Sequence, residues 1–292
     1  MRICLITGAN SGIGKASAIQ IAEKGYRVVI ACRNRDRGEG ALQEIKEQSG
    51  SDSVELMIVD MSLQRSVRNL ARQYANSYQT LDVLIQNAAI FDITKKERGF
   101  TDEGIESIWA TNHLGPVLLT ELLLDSLERS SQGRILTVAS KGLVAMPFLK
   151  VDLKDPEFIN RKFSVTKAYY QSKRAQIMYT YWLAEKLETS KITANCIRVP
   201  SVQVDIGKYA DLPSFLRYLY SLKMRSALAP DEMARTYTYL STSNDVGHIS
   251  GAYFNEKHRP VSSSRYSRDP ENIKQVMKLT MDYIDLVAAA AE

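Results

Sequence analysis

The sequence predicts an α/β protein, a doubly wound fold in which a parallel sheet is flanked by helices on both faces. Three observations carry that expectation. Short apolar segments of strand length, among them RICLIT, YRVVIACR, VELMIVDMS and GRILTVAS, alternate with longer segments of helical period. A glycine-rich turn, GANSGIG, separates the first strand from the first helix. No linker divides the 292 residues, so 1–292 read as one domain able to bury a substantial core, with 286–292 read as a tag remnant or frayed helix end.

Composition narrows the partners. The net charge of +5 arises from 38 basic and 33 acidic residues scattered along the chain, with no basic block of the kind that tracks nucleic acid. A small anionic ligand suits this balance better than DNA does. Cys4, Cys32 and Cys196 stand far apart in apolar segments, which suits reduced core thiols and speaks against a disulfide or zinc framework. A reducing, cytoplasmic setting is expected, with no metal. RICLIT is too short for a signal-peptide core, and no apolar run approaches the ~20 residues of a membrane span.

The first strand, RICLIT, runs into Gly8, Gly12 and Gly14, and the helix that follows ends at Gly25 before YRVVIACR begins the second strand. Glycines in this place let the backbone turn sharply and let a pyrophosphate approach the positive end of a helix dipole, so a dinucleotide is expected there. The second strand closes with ACRNRDRG. An NAD site usually carries a carboxylate at that point for the ribose 2′-hydroxyl. Arg33 instead can pair bidentately with a 2′-phosphate, with Arg35 and Arg37 adding positive potential, so NADP is expected in preference to NAD.

The third strand, VELMIVDMS, should end at Asp60 and Met61, with a polar helix from about Leu63. LDVLIQNAA reads as the fourth strand, GIESIWATNHLGPVLLTELLLDSL as a long amphipathic helix centred on Asn112, and GRILTVAS as a fifth strand ending at Ser140. A further helix carries KAYYQSKRA. Lys173 can share a face with either Tyr169 (i, i+4) or Tyr170 (i, i+3), and spacing does not choose between them. KITANCIRV then supplies the sixth strand, DEMARTYTYLSTS another helix, and AYF a final strand.

TGANSGIG, TNHLG, Ser140 and YYQSK together resemble the short-chain dehydrogenase/reductase family, with its TGxxxGIG signature and Tyr-x-x-x-Lys helix. The resemblance covers nearly the whole chain. The long interval from Ser140 to Tyr169, the YYQSKRA segment and the HISGAYF tail are similar to the retinol-dehydrogenase-like branch. What it implies is specific. Asn10, Ser11 and Ile13 would line the cofactor phosphates and ribose, Asp60 beside Met61 would face the adenine amino group, and Asn87 with Ala88 would abut the cofactor. Gln86 and Ala89 depart from the usual Asn-Asn-Ala-Gly.

The same resemblance makes Tyr169 the proton donor and acceptor, Lys173 its partner and ribose contact, Ser140 the carbonyl-binding hydroxyl and Asn112 the holder of a water beside the lysine. His113 is expected only to pack or to lie at the surface. Pro200 is retained from the family's Pro-Gly pair near the nicotinamide, whereas Ser201 replaces the glycine and Asp205 stands about where a threonine would be. Residues 212–224, with Phe215, Leu216, Leu219, Leu222 and Met224, read as an amphipathic helix or a substrate lid.

The expected function is therefore an NADP-dependent oxidoreductase of the carbonyl-reductase type, acting on a bulky hydrophobic aldehyde or ketone. The alternative is a non-catalytic NADP-sensing regulator of the same fold. The helices carrying Asn112 and Tyr169 form dimer faces in many relatives, so a homodimer is a further expectation.

Overall fold

The structure, a computed structural model, describes residues 1–203 and 227–289. Seven strands form one sheet: β1 Ile3–Thr7, β2 Arg27–Cys32, β3 Val54–Ile58, β4 Val83–Gln86, β5 Arg134–Ser140, β6 Thr193–Val199 and β7 Tyr253–Phe254. Their order is β3-β2-β1-β4-β5-β6-β7, and every neighbouring pair is parallel. The order reverses between β1 and β4, whose carboxyl ends therefore part to leave a crevice, the usual ligand position in such sheets.

Alternation along each strand sends side chains to two cores. Cys4 and Ile6 of β1 join Val28, Ile30 and Val54 beneath α1 Gly12–Glu23, α2 Arg35–Ser49 and α7 Pro230–Thr242. Leu5, Val29 and Leu84 point the other way, under α3 Gln64–Ser77, α5 Gly115–Glu128 and α6 Val165–Lys186. The three cysteines are free and buried. Among the described residues no helix is long and apolar enough to cross a membrane.

Two expectations need adjustment. β3 stops at Ile58, so Asp60 and Met61 lie in the turn beyond it, where the Asp60 side chain accepts hydrogen bonds from the Ser62 amide (2.9 Å) and hydroxyl (2.6 Å). The helix around Asn112 is also not regular. It begins as α4, Ser107–Trp109, passes through a π-helical turn at Ala110–Leu114, and continues as α5. Glu106 opens it, its carboxylate accepting from the amides of Ile108 (2.9 Å) and Trp109 (2.7 Å). The wider π turn rotates Asn112 and His113 inward, and both are buried.

A C-terminal pair of helices, α8 Arg265–Arg268 and α9 Pro270–Ala289, follows the sheet. α9 packs on α6 and on the π turn, and the backbone of residues 286–289 is helical within it. His113 is the junction: its Nε2 lies 2.8 Å from Thr280 Oγ1 of α9 and its Nδ1 lies 3.1 Å from Gln176 Nε2 of α6. Complete burial pushes the imidazole down to about 3. The folded value is below the unfolded one, so the unfolded chain takes up the proton first and stability falls as pH drops below about 6.5.

That term should amount to about 2 kcal/mol between pH 7 and pH 5. Urea unfolding of wild type and His113→Gln at the two pH values measures it. Glu106, held up to about 7 by burial, contributes oppositely but equally in both proteins and drops out of the comparison. Equal losses in the two proteins would contradict a neutral His113.

Candidate active site

At the carboxyl ends of the strands a cleft of about 610 Å³ is lined by Gly8, Asn10, Ser11, Gly12, Ile13 and Gly14 on one side. Arg33, Arg37, Asp60 and Met61 line it beyond β2 and β3, and Asn87 and Ala88 at the end of β4. The glycines account for its shape. Gly12 sits at φ +56°, where a side chain is strained, and faces open space. A Cβ on Gly14 would fall 2.5 Å from Asn87 Nδ2 and 2.6 Å from the Gly8 carbonyl oxygen, so α1 comes closer to β4 than any other residue would permit.

α1 begins without a side-chain cap from Ser11 and has no acidic residue in its first turn. Its leading N–H groups and positive dipole end are therefore available to an anion. The open Gly12, the uncapped helix and the arginines fit a dinucleotide. Arg33 is three-quarters exposed and 3.7 Å from Asp60, so a phosphate could compete for it, while Arg35 instead pairs with Glu39 at 3.6 Å outside the lining.

Asn87 works inward. Its Nδ2 donates to the carbonyls of Thr7 (3.0 Å) and Gly8 (3.1 Å), and the Ala88 amide donates to Thr7 Oγ1 (3.0 Å), so the glycine turn is fastened to the end of β4. Met61 is located by Gly115, where a Cβ would fall 2.1 Å from the Met61 carbonyl oxygen. Thr7 and Gly115 thus position the cleft, although neither is of a residue type that marks a site by itself. Their only signal was membership of TGANSGIG and TNHLG.

Next to the cleft stand the other candidate residues. Ser140 ends β5 opposite Val199, and its Oγ accepts from the Gly142 amide at 3.2 Å, leaving its own proton for another acceptor. Lys173 is 2% exposed; its Nζ donates to the Val138 carbonyl at 2.9 Å and lies 5.8 Å from the centre of the Tyr169 ring. Burial brings its ammonium down to about 8. Tyr170 is turned to Gly142, where a Cβ would come within 2.0 Å of the Tyr170 hydroxyl.

Both ends of the Asn112 amide are hydrogen-bonded. Its Oδ1 accepts from the Ile90 amide at 2.8 Å, and its Nδ2 donates to the Ile90 carbonyl at 3.0 Å and to Ser172 Oγ at 3.2 Å. The side chain therefore braces the loop after β4 against α6. Pro200, Tyr169 and Lys173 are not among the residues lining the 610 Å³ cleft, whose wall beyond β6 is made by Val202 and Gln203. Asp205 and the segment 212–224 lie outside the described residues.

The interval between Ser140 and Tyr169 is ordered by polar ties to α6. Gln171 Nε2 donates to the Pro156 carbonyl (2.8 Å), its Oε1 accepts from Arg161 (2.9 Å), and buried Arg174 donates to the Met146 carbonyl (2.8 Å). Phe158, at φ +58°, is buried against Phe163. Phe148 is 92% exposed.

Comparison with known proteins converges on one family. The family model described as short chain dehydrogenase matches residues 2–151. The chain is 35% identical over 263 residues to mouse retinol dehydrogenase 14, covering 86% of this chain and 77% of that protein. It is 30% identical to human retinol dehydrogenase 13, covering 86% and 75%. Among solved structures, an uncharacterised protein from Mycobacterium paratuberculosis superposes with a TM-score of 0.75 at 26% identity over 98% of this chain and 94% of the other. L-sorbose reductase from Gluconobacter frateurii, complexed with NADPH and L-sorbose, shares the fold with a TM-score of 0.70 at 21% identity, covering 90% and 95%.

Proposed function

Because the chain belongs to the short-chain dehydrogenase family, in its retinol-dehydrogenase-like branch, we propose that it is an oxidoreductase interconverting a carbonyl and an alcohol with NADP as cofactor. The substrate we propose is a bulky hydrophobic aldehyde or ketone. The observation that carries this reading is the buried Lys173 ammonium beside the Tyr169 ring, bonded to the Val138 carbonyl on β5, the strand that Ser140 ends.

A free phenol, with a pKa of about 10, is a poor base at neutral pH. An ammonium close to it favours the phenolate, and lowering that pKa by ~3 units corresponds to ~4 kcal/mol of differential stabilisation. Tyr169 would then give its proton to the developing alkoxide and recover it in the reverse direction. Ser140 would donate its hydroxyl proton to the same oxygen, where the bond strengthens as negative charge builds. Asn112 would act by holding the Ile90 loop and Ser172 in place. When bound, NADPH supplies the hydride for the new C–H bond. Gly8, Gly12 and Gly14 with Asn10, Ser11 and Ile13 would hold its pyrophosphate and ribose, and Arg33 with Arg37 its 2′-phosphate.

Cofactor choice is tested by kcat/KM with NADPH and NADH over a panel of hydrophobic aldehydes and ketones. Wild type should prefer NADPH by at least ~10-fold, and Arg33→Asp should shift the ratio by at least ~10-fold toward NADH, since a carboxylate repels the phosphate that the guanidinium pairs. A wild-type preference for NADH, or an unchanged ratio in the variant, would remove Arg33 from the site. NADPH binding without turnover of any carbonyl would favour the sensor reading.

A further inference from the structure

Phe91 has no part in the chemistry above, yet its ring lies on that of Tyr169. The centroids are 4.2 Å apart and the planes 25° from parallel. Tyr170 closes the cluster edge-on, 5.2 Å from Tyr169 at 69° and 6.4 Å from Phe91. A stacked aromatic pair gains more than its area burial alone supplies, and that gain depends on the relative plane of the rings.

The backbones under both rings are tied to one amide. Asn112 grips the N–H and C=O of Ile90, the residue before Phe91. The same amide donates to Ser172 Oγ, and the Ser172 hydroxyl donates to the Tyr169 carbonyl at 2.7 Å. At its far side the cluster ends on the turn after Ser140, where the Tyr170 ring rests against Gly142. The loop after β4, the π turn and α6 thus converge to place one ring on another.

We propose that Phe91 is a positioning residue for Tyr169, holding the phenol in the orientation from which its hydroxyl reaches the reacting oxygen; this rests on the role proposed for Tyr169 above. Tyr169 is half-buried, and the orientation of its ring depends on the groups it packs against. A misplacement of about 1 Å at a reacting group can cost ~100-fold in rate. A ring stacked face to face on the phenol restricts that orientation.

Phe91→Ala should lower kcat by ~10- to 100-fold, with NADPH affinity and thermal midpoint near those of wild type. Phe91→Tyr, which keeps the flat face, should stay within ~3-fold of wild-type kcat, and Phe91→Leu should not recover it. A readout independent of turnover is the ¹⁹F NMR spectrum of cofactor-free protein labelled with 3-fluorotyrosine, the Tyr169 signal being assigned by its loss in Tyr169→Phe. Removal of the Phe91 ring current should move that signal in Phe91→Ala. An unmoved signal, or full activity in Phe91→Leu, would overturn the proposal. Absence of carbonyl turnover in wild type would instead defeat the functional reading, while the Tyr169 signal would still decide whether Phe91 orders that ring.

Discussion

Tyr169→Phe is expected to reduce kcat by at least ~100-fold while NADPH still binds, because the change deletes the transferable proton and little volume. Tyr170→Phe should do far less. The two tyrosines are neighbours on α6 and share an aromatic cluster, but their surroundings differ. Tyr169 has the Lys173 ammonium 5.8 Å from its ring centre, whereas Tyr170 is packed against the backbone at Gly142. Turnover against pH, with NADPH affinity followed by fluorescence, separates the pair. Equal losses in the two variants, or near-wild-type kcat in Tyr169→Phe, would return the whole segment to the status of a packed helix face.

Lys173→Met is expected to separate activity from stability. Turnover should fall by at least ~100-fold and NADPH affinity with it, since the variant loses the charge that favours the phenolate together with the proposed ribose contact. The fold should be as stable as wild type at pH 7, or more so. Burial lowers the ammonium from 10.5 to about 8, which corresponds to ~3 kcal/mol of penalty for keeping it charged and enclosed. Against this stands the loss of its 2.9 Å bond to the Val138 carbonyl, a term of about 1–3 kcal/mol.

The pH dependence has a definite sign. The folded value is below the unfolded one, so between about pH 8 and 10.5 the unfolded chain holds more protons and wild-type stability rises with pH. The advantage of Lys173→Met should therefore be greatest below pH 8 and shrink toward pH 10. Denaturant unfolding at pH 7 and pH 9.5 tests it. A variant destabilised by several kcal/mol at pH 7 would make the ammonium a structural element.

Periodicity and turn chemistry determined the sheet, the helices and the glycine cradle in advance, because those features depend on neighbours in sequence. Apolar runs of strand length bury themselves whichever partner they meet, and Gly8 and Gly12 mark positive φ wherever the chain must turn. The segments that carry Asn112, Ser140, Tyr169 and Lys173 were legible through the family motifs, and the fold ties Asn112 to Ser172 of α6 and Lys173 to β5, the strand that Ser140 ends. Arg33 and Arg37 were legible as cleft residues from their place after β2.

Other features belong to the tertiary structure alone. The π turn that rotates Asn112 inward has no local signature, because it depends on Gly115 fitting against the Met61 carbonyl and on α9 accepting His113. The contact of Phe91 with Tyr169 joins residues 78 positions apart and arises from where the loop after β4 meets α6. Choosing between Tyr169 and Tyr170 lay beyond helical spacing for the same reason. An α-helix brings residues three and four apart equally near Lys173, and only the backbone of a different strand end, at Gly142, takes one of the two rings away. Sequence sets which groups can approach; the packing of distant segments decides which of them do, because each contact depends on shape supplied by chain far away in sequence.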